Sequence, residues 1–131
     1  MVLGRASGVE REAELLKALA HPVRLLLLDA LTQSEECVCH LAFLLRRPQP
    51  YVSKQLAELR EAGLVTDRRK RQRIFYRLAE PNVVALLSAA RALSGRAQAG
   101  TRQSLPGCPC PRCRQVPAEE AAAHPSGGCR R

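Results

Sequence analysis

The chain has 131 residues, of which 46% are hydrophobic, 25% charged and only 3% aromatic. That is room for one domain with a core of Leu, Val and Ala, a composition that favours helices. The formal net charge of +9 points to a polyanionic partner. The longest apolar run, Leu25 to Leu28, is far too short to span a bilayer and excludes a membrane protein built on helices.

Met1-Val2-Leu3-Gly4-Arg5 has no apolar stretch behind it, so no signal peptide is expected and the chain is placed in the cytoplasm. Thiols stay reduced there. Six Cys in a reduced compartment argue for metal binding or redox sensing ahead of a disulfide framework.

A first helix is expected over Val9 to Ala20, with Ala13, Leu16, Leu19 and Ala20 apolar. His21-Pro22 breaks it, His21 as a hinge or cap, and Pro22 suits the first turn of a second helix. That helix runs to about Leu31, with Val23, Leu26, Leu27 and Ala30 facing inward. After Thr32-Gln33-Ser34 a third helix is expected, capped by Ser34 or Thr32, with Glu35 and Glu36 in its first turn near the positive end of the dipole. It ends before Pro48, and Arg46-Arg47-Pro48-Gln49 forms a tight turn.

A fourth helix carries Val52, Leu56 and Leu59 at i, i+4 and i+7 facing inward, and Gly63 suits a left-handed end to it. Its opposite face presents Gln49, Tyr51, Lys54 and Gln55. Glutamine amides pair bidentately with adenine edges, and a lysine reaches guanine or phosphate. Helix, short turn and helix with a polar leading end is the helix-turn-helix arrangement.

Leu64-Val65-Thr66 and Ile74-Phe75-Tyr76-Arg77-Leu78 read as two strands around a basic tip, Asp67 to Arg73. Such a hairpin suits a phosphate backbone or a minor groove. From Arg46 to Arg77 there are ten basic residues against three acidic ones, which concentrates the charge on a nucleic-acid face. Pro81 opens a last helix on which Val83, Val84, Leu86, Leu87, Ala90 and Leu93 leave Ser88 and Arg91 as the clearly polar positions. So apolar a surface implies a second subunit packed on it.

After Ser94 the composition shifts to five Gly and five Pro with almost no large apolar residue. The expected architecture is therefore mainly α with a β-hairpin wing. A winged helix-turn-helix domain for DNA binding and dimerisation covers residues 1–94, and a flexible Cys-containing tail covers 95–131.

Residues from Leu15 to Leu93 resemble the ArsR/SmtB family of metal-sensing winged-helix repressors. The resemblance is carried by Leu19-Ala20-His21-Pro22-Val23-Arg24, by the thiol box Glu36-Cys37-Val38-Cys39-His40-Leu41, and by Gln49-Pro50-Tyr51-Val52-Ser53-Lys54-Gln55-Leu56. Leu59-Arg60-Glu61-Ala62-Gly63-Leu64-Val65, Asp67-Arg68-Arg69 and Phe75-Tyr76-Arg77-Leu78 continue it through the wing.

The resemblance implies a homodimer on palindromic double-stranded operator DNA, released when a toxic ion binds. DNA contacts are then expected from Gln49, Tyr51, Ser53, Lys54 and Gln55, and from Arg68, Arg69, Lys70, Arg71 and Arg73 in the wing. The chain departs from the pattern at Arg71, where the family has Gly at the wing tip, so a longer or differently shaped wing is expected if that turn needs positive φ. It departs also at His40, which replaces an acid, and at Ala42, where arsenic sensors can carry a third Cys. Asn82, Val83 and Val84 lack the ligands of the zinc sensors, which argues against a zinc site between the last helices.

On a regular helix Cys37 and Cys39 point roughly 200° apart and would grip one ion only if the first turn opens. Two thiolates do not complete a soft-ion site. As(III) and Sb(III) take three sulfurs, and Cd(II) and Pb(II) take three or four. The missing sulfurs are available in Cys108, Cys110 and Cys113 of Cys108-Pro109-Cys110-Pro111-Arg112-Cys113, and the tail is long enough to reach the third helix of either subunit. Cys129 and His124 are expected to be idle. All-thiolate ligands select soft ions over Mg(II) or Ca(II), and no organic cofactor is expected.

The expected function is a repressor released by a thiophilic ion, As(III) or Sb(III) first, Cd(II) or Pb(II) otherwise. A rival uses the same thiols for reversible disulfides. A thiol-transfer enzyme is disfavoured, because Cys108-x-Cys110 is not the redox spacing and Cys110-x-x-Cys113 lies in no βαβ context.

Overall fold

The computed structural model describes residues 8–96 and 105–113. Helices α1 (Gly8–Leu19) and α2 (Pro22–Gln33) lead into β1 (Glu36–Cys37), α3 (Val38–Leu45) and α4 (Gln49–Glu61). The hairpin β2 (Val65–Lys70) and β3 (Arg73–Leu78) follows, and α5 (Asn82–Ser94) closes the domain. The sheet has the order β1-β3-β2, antiparallel throughout. This is the winged helix-turn-helix expected from sequence.

The local chemistry explains the element ends. His21 Nδ1 accepts the Val23 N–H at 3.2 Å, so His21 caps α2 while Pro22 occupies a first-turn position that needs no N–H. Gly63 takes φ 81°, and the N–H groups of Gly63 and Leu64 close on the carbonyls of Arg60 and Leu59. Those two bonds satisfy the last carbonyls of α4 as a left-handed Gly end requires. Val52, Leu56 and Leu59 lie fully buried against Leu27, Leu28 and Leu41 in the main core.

The inner face of α2 is rotated from the expected one. Leu28 and Leu31 are buried and Leu26 is half exposed, because the core lies on both sides of the Val23–Leu27 line once α3 and α4 pack against it. In α5, Val83 and Leu87 face inward, while Val84 and Leu93 are exposed, as are Val9 and Leu16 on α1. Arg91 is not a solvent-facing polar position: it is buried and ion-paired with Asp29 of α2, which Arg96 also reaches. This pair ties α5 to α2.

The start of the third helix differs most from expectation. Neither Ser34 nor Thr32 caps it; Cys37 holds the N-cap position without a side-chain cap bond, and Thr32 Oγ1 instead bonds the Asp29 carbonyl. Glu36 and Cys37 are drawn into the sheet by pairing with Tyr76 and Phe75 of β3. A third strand satisfies backbone groups on the β3 edge that an isolated hairpin would leave open.

The wing is compact. Arg71 and Gln72 alone join β2 to β3, with Lys70 paired to Arg73, and Arg71 adopts φ 60°. The tip therefore does need a positive φ, and an arginine takes it without lengthening the hairpin. A left-handed non-Gly residue costs about 1–2 kcal/mol, and glycine's extra unfolded-state entropy offsets about half of what relief would gain. Arg71→Gly is accordingly expected to raise stability in urea unfolding by roughly 0.5–1 kcal/mol, while removing an exposed cation from the wing tip.

Candidate metal centre and nucleic-acid interface

The junction of β1 and α3 brings the first two thiols together. Cys37 ends a strand and Cys39 lies in the first turn of a helix, so the regular-helix separation of their side chains does not apply. Their sulfurs stand 2.6 Å apart, both buried. Residues 105–113 fold over them rather than trailing away. Cys108 N–H bonds the Leu105 carbonyl at 3.0 Å, and Cys113 N–H bonds the Cys110 carbonyl at 3.0 Å. These two turns, with Gly107 at φ 84°, aim three sulfurs inward.

All five predicted thiols are thus brought into one buried cluster with Phe43, flanked by Phe75 and Leu105. Apolar burial of Cys, which packs as a small hydrophobe, is what anchors a segment otherwise poor in large apolar residues. Cys129 and His124 lie outside the described residues.

His40 is a donor group beside these thiols that sequence reasoning left out of the candidate ligands. Its Nδ1 lies 3.3 Å from Cys113 Sγ and 3.8 Å from the sulfurs of both Cys108 and Cys110. On its other side Nε2 is 3.9 Å from the buried Glu36 carboxylate. Ser34 donates to Glu36 Oε2 at 2.7 Å, and Arg112 of the tail sits 3.6 Å from it. Arg112 also donates to the Glu35 carbonyl at 2.8 Å.

Hydrogen bonds from Cys108 and Cys37 to Cys110 hold its pKa below the usual thiol range. Cys37, bonded to Cys110 and Cys39 and desolvated, is pushed well up, and so is Cys108 for its bond to Cys110 and its burial. Arg73 Nη1 donates to Cys39 Sγ at 2.9 Å, and Leu105 N–H donates to Cys113 Sγ at 3.2 Å. Donors from both the wing and the tail therefore reach the sulfurs.

The reading helix α4 presents Gln49, Tyr51, Ser53 and Lys54 at or near its leading end, with Lys54 exposed and the Arg47 guanidinium 5.8 Å from the Tyr51 ring centre. Gln55 is placed otherwise. It is 7% exposed, and its Oε1 accepts from Arg24 Nε at 2.9 Å, so in this structure it joins α2 to α4 rather than facing outward. Truncating it removes a part-buried hydrogen bond, and Gln55→Ala is expected to lower unfolding stability by about 1 kcal/mol. Lys54→Ala should instead leave stability unchanged and weaken operator binding, a contrast that urea unfolding and fluorescence anisotropy on labelled DNA would read.

In the wing, Arg69, Lys70 and Arg71 are exposed at the tip. Arg68 forms two bonds to the Glu35 carboxylate at 2.7 and 2.8 Å, which holds that carboxyl below its usual range. Arg73 is turned back to Cys39 and the Pro109 carbonyl. Its position in the strand β3 that pairs with β1 puts it over the thiols, so it is a wing cation engaged with the cysteine cluster.

A helix-turn-helix with a basic two-stranded wing defines a winged-helix DNA-binding regulator. A family model described as bacterial regulatory protein, arsR family, matches residues 21–67. The chain is 49% identical to the biofilm growth-associated repressor of Agrobacterium fabrum over 81 residues, which is 62% of this chain and 69% of that protein. It is 39% identical to the transcriptional repressor SmtB of Mycobacterium tuberculosis over 87 residues, 66% of this chain and 64% of that one. A homodimeric winged helix-turn-helix domain from Mycobacterium bovis superposes with TM-score 0.65 at 30% identity, covering 72% of this chain and 88% of that domain.

The chain belongs to the ArsR/SmtB family of bacterial transcriptional repressors. Among the described residues no helix is long and apolar enough to cross a membrane.

Proposed function

We propose that this protein is a cytoplasmic, homodimeric repressor whose hold on operator DNA is relieved when a thiophilic ion binds Cys37, Cys39 and the tail thiols Cys108, Cys110 and Cys113. As(III) or Sb(III) is the first choice of effector, and Cd(II) or Pb(II) the second. The observation that carries this reading is the burial of five cysteines, separated by up to 76 positions in the chain, in one cluster at the start of α3. Thiolate-rich surroundings select soft ions, and a preformed cluster lowers the ordering cost of capture.

The same geometry supports a route to DNA. Leu41 and Ala42 of α3 share the core with Val52 and Leu56 of α4, so a shift at Cys37 and Cys39 is passed to the reading helix. Cys37 is also paired with Phe75 in β3, and Arg73 holds Cys39 from the wing. Ion capture therefore acts on both DNA-facing parts. The exposed apolar residues Val9, Leu16, Val84 and Leu93 of α1 and α5 support a dimer face.

One observation favours a second reading. The sulfurs of Cys37 and Cys39 approach to 2.6 Å, and the same chain could respond by forming a reversible disulfide. Titrating the reduced protein anaerobically with As(III), Cd(II) and Pb(II) while following sulfur-to-metal charge-transfer absorbance tests the leading reading. Saturable binding that Cys37→Ser/Cys39→Ser disrupts supports it. Absence of binding by every ion would leave the redox reading in its place.

A further inference from the structure

Four donor atoms of the cluster are arranged differently from the Cys37–Cys39 pair. His40 Nδ1 and the sulfurs of Cys108, Cys110 and Cys113 all lie within 4.8 Å of one another, and all four residues are buried. A tetrahedral ion bound at about 2.3 Å from sulfur and 2.0 Å from nitrogen holds its donors roughly 3.5–3.8 Å apart. The three nitrogen-to-sulfur separations, 3.3, 3.8 and 3.8 Å, bracket that spacing before any ion has contracted the set.

The ring is also oriented as a ligand needs. A metal-bound imidazole almost always gives its other nitrogen to a carboxylate or carbonyl, which fixes the tautomer and turns the free lone pair to the ion. Here Glu36 stands on the Nε2 side at 3.9 Å, and the sulfurs stand on the Nδ1 side. Glu36 is itself buried and held by Ser34 and by Arg112, the residue next to Cys113. A buried carboxylate is expensive unless compensated. Its presence behind His40, together with a cation from the same tail that brings the sulfurs, is accounted for by one site.

We infer that His40, Cys108, Cys110 and Cys113 form a four-coordinate nitrogen–sulfur site for a tetrahedral divalent cation of the zinc and cadmium class, with Glu36 as the residue that positions His40. One nitrogen and three sulfurs match that class. They do not match the three-sulfur pyramid of As(III). The inference rests on the reading of this cluster as an ion-binding centre and adds the nitrogen ligand, the coordination number and the class of ion. It does not depend on release from DNA.

The full-length reduced protein is loaded anaerobically with one equivalent of Zn(II) and studied by X-ray absorption at the zinc edge. The expected first shell is three sulfurs and one nitrogen, with the outer-shell scattering of one imidazole. Glu36→Gln should keep the ligand set and weaken affinity about 10–100-fold in competition with a chromophoric chelator, and His40→Ala should lose the imidazole scattering.

A wild-type shell of four sulfurs without imidazole overturns the inference, whether or not the variants fold. DNA release that fails while the nitrogen–sulfur shell is present counts against the regulatory reading alone.

Discussion

Cutting the chain after Arg96 is expected to leave operator binding within about twofold of the full chain, and to raise the As(III) or Cd(II) concentration needed for release by at least about 100-fold. The cut keeps what α5 needs. Gly95 retains its left-handed φ of 77° and its bond to the Ala92 carbonyl, and Arg96 retains its ion pair with Asp29. It removes Cys108, Cys110 and Cys113, three of the five clustered thiols, and Arg112 with them. Loss of a single outer-shell partner typically costs 10–100-fold in metal affinity, so loss of three ligands cannot cost less. Anisotropy of a labelled operator, titrated with ion in both proteins, reads the shift. An unchanged release curve would take the tail out of the sensing site.

Asp29→Ala is expected to cost about 3 kcal/mol of unfolding stability, the largest effect of any single side chain outside the apolar core. Asp29 receives both Arg91 and Arg96, and Arg91 is buried against it. Removing one member of a buried pair leaves the other charge in a place it cannot be solvated, and that typically costs 3–5 kcal/mol. The lower end applies because the Asp29 side chain keeps 13% exposure. Arg96 is about half exposed, so Arg96→Ala should cost under about 1 kcal/mol. Urea unfolding of the two variants checks the contrast. Equal, small losses would show that the α2–α5 tie carries little.

Much of this structure can be read from residues alone because it rests on local rules. Val52, Leu56 and Leu59 mark a helix face at 3.6-residue spacing, Gly63 marks its end, and alternation over Ile74 to Leu78 marks the wing strand. Each needs only neighbours in sequence. What escapes that reading depends on partners far along the chain. A two-residue strand at Glu36–Cys37 has no period of its own and exists only because Tyr76 and Phe75 offer an edge.

Gln55 looks outward on a helical wheel, and only Arg24, 31 positions earlier, turns it in. Arg73 counts as a wing cation until Cys39 is placed beneath it. His40 was visible as a departure from the family's acid in the thiol box. Its role as a nitrogen beside sulfurs needed Cys108, Cys110 and Cys113, some 70 positions away, to fold onto it.

The incomplete appearance of the Cys37–Cys39 pair has the same origin. As a stretch of helix it is too widely splayed to bind anything. As a strand-to-helix junction it places both sulfurs in a buried cluster that the tail completes. In the proposed function the switch is an ion-binding centre built across β1, α3 and the tail, with β3 and Arg73 leading from it into the wing.

The most direct test is operator binding by the full reduced chain under anaerobic conditions, titrated with As(III) or Cd(II) and separately with peroxide. The predicted result is release by ion with no oxidant present, in proportion to bound ion, and no ion-driven release in Cys37→Ser/Cys39→Ser, which still binds DNA. Release by peroxide alone, with the operator held at saturating As(III) and Cd(II), would contradict it.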